Sequence, residues 1–189
     1  MRYPVRVGLR SFVLLVYLCI GLPSVYAAYD VTTTHSQITW DHHHKLSWDD
    51  FKGAIPPDAV DNMAAATYCG IGIDAAQVEP GKTPVVNVYN TFYITRSWVR
   101  PDAHNSEILE HEQGHFDLCE LYTRKLKKQL QGILLQGADF KLVLKNLYEQ
   151  VNAEYEIPQQ VYEAQTSHGM NIREQKKWDN RIATELAAI

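Results

Sequence analysis

Two histidines and a glutamate sit close together in the stretch LEHEQGHFDLCELY, residues 109–122: His111, Glu112 and His115. On a helix, residues four apart project from one face, one turn from each other. His111 and His115 so placed can bring both imidazoles to one tetrahedral ion, at nitrogen–metal distances of about 2 Å. Glu112 lies roughly 100° further round the helix, which sets its carboxylate beside a water on the metal and not on the metal itself. From there it can take the water's proton and pass it to a leaving amine. This is the H-E-x-x-H arrangement of zinc peptidases. Two histidines and an acid on one buried face are costly unless something pairs with them, and a divalent ion does so.

A catalytic zinc needs a third protein ligand and one open position. Glu120 falls about half a turn off the face that carries His111. His104 precedes the helix by too little chain to fold back easily. Glu149, Glu154, Glu156 and Glu163 all remain possible. His168, in VYEAQTSHGMN, occupies a glycine-containing turn where a side chain can be aimed freely, and it is the preferred third ligand. Gly114 costs a helix interior about 1 kcal/mol relative to alanine, which points to close approach of a neighbouring strand.

The elements that must hold these residues follow from the pattern of apolar positions. Ile108, His111, His115, Leu118, Tyr122, Leu126 and Leu130 recur at three- and four-residue intervals, so the spacing predicts a helix from near Glu107 to about Leu135, capped by Asn105 or Ser106. Gly137 would end it and Asp139 would cap a second helix through LVLKNLYEQV, with Pro158 as an interruption. NIREQKKWDNRIATEL reads as a last amphipathic helix. Before Pro101 the signals are extended: AAATYCGIGI (64–73) and VVNVYNTFYITRSWV (85–99) are rich in β-branched and aromatic residues, and the turn EPGKTP between them predicts an antiparallel hairpin. LSWDDFKG (46–53) predicts a short element that packs Trp48 and Phe51 on the core. The sum is an α+β domain, a small antiparallel sheet followed by a helical half.

The first 27 residues differ in kind. Arg2, Arg6 and Arg10 precede the apolar run SFVLLVYLCIGL, and PSVYA places Val25 and Ala27 at the small positions of a cleavage site, so residues 1–27 predict a signal peptide and residues 28–189 a single domain. Leu18 before Cys19 does not fit a lipoprotein signal. Export to the periplasm or the exterior follows, with no stable membrane anchor once the signal is cut. Cleavage removes three of the 18 basic residues and none of the 22 acidic ones, moving the formal charge from -4 to -7. Nothing basic beyond pairs remains, which excludes nucleic acid as a partner. Cys69 and Cys119 survive processing, and an oxidising compartment predicts a disulfide between them.

Three weaker signals carry no function. AQVEPGKT, from Ala76, has a relaxed phosphate-loop pattern, but Pro84 and a β-type run follow where a helix must hold the phosphates. The three histidines at 42–44 would point to opposite faces of a strand and read as a polar loop. LYTRKLKKQL is a solvated helix face.

LSWDDF, HEQGHFDLCELYTRKL and VYEAQTSHGMNIREQKKW together resemble a family of exported bacterial proteins, catalogued as a domain of unknown function and described as candidate zinc-dependent proteases. The likeness runs from about Leu46 to Leu186. Tyr162, Thr166, His168, Gly169, Gln175 and Trp178 fall on its third stretch, while Gln165 stands where the family tends to have an acid. The resemblance implies a zincin-like metallopeptidase fold, His168 as third ligand and Tyr162 as a donor to the oxyanion of the tetrahedral intermediate.

The expectation is therefore an exported zinc-dependent hydrolase acting on peptide or protein substrates. One zinc per chain would be held by His111, His115 and His168, with Glu112 as general base and then general acid. The strand run from Asn90 to Arg96 could be the sheet edge that pairs with an extended peptide. The rival from another class is a non-catalytic, zinc-stabilised binding or assembly domain of the envelope.

Overall fold

The computed structural model describes residues 36–60, 63–76, 84–131, 133 and 140–189. The expected signal segment 1–27, most of the expected turn between the two extended runs, and Gly137 and Asp139, expected to end one helix and cap the next, lie outside these residues. Among the described residues five strands come first: β1 (Gln37–Thr39), β2 (Ala65–Ala66), β3 (Cys69–Ala76), β4 (Val85–Tyr93) and β5 (Trp98–Val99). Three helices follow, α1 (Ser106–Gln131), α2 (Phe140–Thr166) and α3 (Ile172–Ala188). The architecture is α+β: one three-stranded antiparallel sheet, a two-stranded ribbon and three helices.

The expected hairpin forms, with Cys69 opposite Phe92 and Ala76 opposite Val85. β4 is the central strand, in the order β1-β4-β3, because Gln37 to Thr39 pair with Tyr93 to Thr91 on its other side. The run from Asn90 to Arg96 is thus no free edge. It is paired on both sides as far as Tyr93, and beyond that the chain turns away. β5 leaves this sheet altogether and pairs with β2.

The sheet carries α1 on one face. Phe92 and Phe116 are almost completely buried against each other, with ring centroids 5.7 Å apart, and burying each such side chain contributes about 1.5–3 kcal/mol. Asn90, also buried, donates its Nδ2 to the Phe116 carbonyl at 3.0 Å, fixing the strand against the helix one residue past His115. Leu46, Phe51 and Ile94 complete this part of the core, beside a 3-10 turn at Trp48–Asp50 in which Asp50 accepts from both the amide and the hydroxyl of Ser47. The segment before that turn docks on α1 as well: the Leu46 amide donates to Gln113 Oε1 at 2.8 Å, and Trp40 Nε1 to Asp117 Oδ1 at 2.7 Å.

Asn105 caps α1, its Oδ1 accepting from the Ile108 amide at 2.9 Å. α2 does not break at Pro158 as the sequence suggested. It runs unbroken from Phe140 to Thr166. The proline deprives only the Glu154 carbonyl of its helical donor, and Glu154 and Ile157 lie on the solvent side, where water can serve that carbonyl. This continuity carries the second half of α2 across the face of α1 that bears the histidines. No helix among the described residues is long and apolar enough to cross a membrane.

Candidate metal centre

His111 and His115 both point from α1 toward α2, and their Nε2 atoms approach to 3.2 Å. Glu163 of α2 completes the cluster, with Oε2 3.1 Å from His111 Nε2 and Oε1 3.7 Å from His115 Nε2. Atoms bonded tetrahedrally to one ion at about 2 Å stand roughly 3.3 Å from each other, and these three separations bracket that figure. His111, His115 and Glu163 form a group that can hold a metal ion.

The protonation of the two rings follows from what lies behind them. His111 Nδ1 meets Gln175 Oε1 at 3.1 Å, and His115 Nδ1 meets Gln159 Oε1. Neither amide can be turned around. Gln175 Nε2 donates to Tyr162 Oη at 2.6 Å and to the Asp179 carboxylate at 2.8 Å. Gln159 Nε2 donates to the His115 carbonyl at 3.0 Å and to Tyr155 Oη at 2.8 Å. The glutamine oxygens must therefore accept, so each Nδ1 carries hydrogen and each ring, in its neutral form, leaves Nε2 bare. Two bare nitrogens and a carboxylate facing one another are three acceptors with no donor between them. A cation resolves that arrangement.

The electrostatics agree. Burial pushes the His115 imidazole below its ordinary value, and His111 adds to this against the attraction of Glu112 and Glu163, which keeps the ring neutral. Burial alone would raise the Glu163 carboxyl. Positive charge beside it outweighs burial: when those rings are protonated, the hydrogen bond from His111 and the charges of His115, His111 and His168 bring Glu163 down to about 2, the ionised form that a cation held in the same place would also favour. Glu112 goes the other way: burial raises it, opposed by His115 and by hydrogen bonding from Thr67. It is buried, and its Oε2 has no hydrogen-bond partner among the described residues.

His168 is not part of the donor group. It stands behind Glu163, with Nδ1 3.0 Å from the Oε2 that also faces His111, and its side chain is 39% exposed. Glu163, one of four downstream glutamates open on sequence grounds, occupies the place expected of His168. The turn that delivers His168 is strained: Ser167 and His168 take φ of 50° and 56°, and Gly169 takes 81°. A left-handed backbone costs a non-glycine residue about 1–2 kcal/mol. Here it is held by Asn171 N donating to Thr166 O at 2.7 Å and His168 N to Glu163 O at 3.3 Å. At Gly169 a Cβ would lie 2.9 Å from His111 Cβ, so positive φ and lack of space both demand glycine.

Tyr162 has a different role from the oxyanion contact expected. It is fully buried, stacked on the His111 ring with centroids 4.7 Å apart, and its hydroxyl donates to the His111 carbonyl at 2.9 Å while accepting from Gln175. Burial also holds the phenol well above its usual range, so it stays protonated. Its hydroxyl faces α1, out of a substrate's reach. Gly114 makes room for it, since a Cβ there would meet Tyr162 Oη at 2.1 Å. The close approach expected at this glycine comes from a helix and not from a strand. Cys69 and Cys119 are free thiols not at disulfide distance, so the expected bridge is absent. Cys69 Sγ instead lies 3.5 Å from Tyr155 Oη.

Compared with protein-family models, curated proteins and solved structures, the chain gives no significant match.

Gln175 was named in the sequence only as part of the family resemblance, with no role beside the histidines, and Gln159 was not singled out, although a signal for it existed. Tyr155, Gln159, Tyr162, Glu163 and Thr166 recur at three- and four-residue intervals, and a helix read straight through Pro158 puts them on one face.

Proposed function

We propose that this chain is an exported zinc-dependent hydrolase, best matched to a metalloendopeptidase. The observation that carries the reading is the convergence of two bare imidazole nitrogens and an ionised carboxylate at metal-ligand spacing, with a buried unpartnered carboxyl oxygen on the next residue of the same helix. His111, His115 and Glu163 would hold the ion. Three protein ligands suit a catalytic zinc, which keeps a position open, whereas a structural zinc is closed by four. When bound, the ion supplies Lewis acidity to polarise a substrate carbonyl and to activate water.

The remaining chemistry belongs to the chain. Glu112, raised by burial toward the range where a carboxyl can both take and return a proton, accepts one from the attacking water and gives it to the departing amine. Solvent reaches the cluster on the side of Glu163 and His168, both partly exposed, while His111 is sealed between Tyr162 and Gly169. The family resemblance of the three motif stretches supports a zincin-like protease, and the leader-like residues 1–27 support export.

The test is metal content and hydrolysis measured together on the mature chain. Wild type and Glu112→Gln should each hold one zinc, and only wild type should cleave a labelled unfolded casein, the variant losing at least about 100-fold. A Glu112→Gln chain that matches wild type in cleavage sinks the hydrolase. Zinc held tightly with no cleavage by either chain favours the stabilised binding domain.

A further inference from the structure

We propose that Gln159 and Gln175 are a matched pair of positioning residues that lock His115 and His111 in the Nδ1–H form, so that both Nε2 lone pairs face the ion before it arrives. The inference rests on the metal-centre reading above and adds residues that neither the motif nor the resemblance assigns to metal binding.

Metal-ligating histidines usually donate their second nitrogen to a carboxylate, a backbone carbonyl or water. Here both partners are side-chain amides, one from each of two different helices. Gln159 of α2 serves His115 and Gln175 of α3 serves His111. Each amide is itself clamped, so its oxygen cannot be exchanged for its nitrogen. Gln159 is fixed by the His115 carbonyl and Tyr155, and Gln175 by Tyr162 and Asp179. Thr166 reinforces the second clamp. Its hydroxyl proton is committed to the Tyr162 carbonyl at 2.7 Å, so at 3.4 Å from His111 Nδ1 the Thr166 oxygen can only accept.

A neutral amide fixes the tautomer without adding negative charge behind the ring. With Glu163 as the one anionic ligand, a divalent ion would keep more of its positive charge for substrate than it would with carboxylates behind the rings. The arrangement also makes α3 part of the centre, because its first turn supplies Gln175.

Two measurements on the full mature chain test this. The first is the two-bond proton–nitrogen NMR pattern of the imidazoles after the metal is stripped with chelator, which distinguishes Nδ1–H from Nε2–H rings without any ion present. The second is zinc affinity by competition with a chromophoric chelator. In wild type both rings should show the Nδ1–H pattern. Gln159→Met should release His115 alone and Gln175→Met His111 alone, each weakening zinc binding roughly 10–100-fold. Should Gln175→Met not fold, Gln159→Met carries the test unaided.

Wild-type rings in the Nε2–H form, or a Gln159→Met chain that keeps the His115 pattern and binds zinc like wild type, would overturn the proposal. The NMR signature separates this failure from that of the enzymatic reading. Locked rings and tight zinc without hydrolysis would remove only the hydrolase.

Discussion

Gly114→Ala sets two known effects against each other and so measures how tightly Tyr162 is built into the centre. In an exposed helix the substitution would stabilise by about 1 kcal/mol, the propensity difference between glycine and alanine. Here the new Cβ would lie 2.1 Å from Tyr162 Oη and 2.7 Å from its Cζ. The ring has nowhere to retreat, being fully buried, stacked on His111 and set edge-on against Trp178 at 5.4 Å. Overpacking of this kind costs about 1–3 kcal/mol. Displacing the hydroxyl also breaks its bonds to the His111 carbonyl and Gln175, worth about 1 kcal/mol each. Against the propensity gain, the net is a loss of about 2–4 kcal/mol, a fall in unfolding temperature of roughly 4–16 °C for a domain of this size. The assay is thermal unfolding in chelator, so that bound metal adds nothing to stability. In a Tyr162→Phe background the closest contact and both hydroxyl bonds are already gone, and the same substitution should cost about 2 kcal/mol less, read as the coupling in a double-mutant cycle. A Gly114→Ala chain that melts higher than wild type, or the same cost in both backgrounds, refutes the reasoning.

The other predictions are shorter. Glu163→Ala should abolish tight zinc binding, whereas His168→Ala should keep one zinc per chain with affinity reduced by at most about 100-fold; the reverse order would return the third-ligand role to His168. Asp179 sits above its ordinary value of 3.8, chiefly through burial and then through repulsion by Glu110 and Asp117, against the hydrogen bond from Gln175. The folded chain thus binds that proton more tightly than the unfolded chain, and stability is lost as pH climbs through the raised value. Asp179→Asn, which keeps an acceptor for Gln175, should therefore melt above wild type at pH 7 and lose that advantage near about pH 4. Free thiols at Cys69 and Cys119 predict two titratable thiols in an unfolded, unreduced chain lacking residues 1–27, and Cys119, raised well above its ordinary range by burial, should resist alkylation until the chain unfolds.

What was legible in the sequence follows from the range over which each signal acts. The spacing of His111 and His115 is local, and α1 forms where its stripe says it should, with Asn105 as cap. The β3–β4 hairpin is equally local, because alternating β-branched residues flank a turn. Strand order is not local. Nothing in Gln37–Thr39 announces that three residues will pair with Thr91–Tyr93 and make β4 central, so the expected peptide-binding edge was placed on a strand whose two sides are already taken there.

The third candidate ligand was hidden for a different reason, and the reason is Pro158. A proline normally ends a helix, and stopping α2 there leaves Glu163 and His168 as two candidates in a loose connection, with the freely aimed histidine the natural preference. With α2 continuous, the rigid helix fixes Glu163 one turn beyond Gln159, so that the carboxylate reaches the two Nε2 atoms while the amide reaches the Nδ1 behind one of them. Glu163 and Gln159 then share one face of one helix, four residues apart, as the two histidines do on α1. His168 falls after the last turn, where it can reach only Glu163 and only through a left-handed backbone. The centre is the crossing of two helices, each contributing an i, i+4 pair, and α3 adds the single amide that the crossing leaves His111 without.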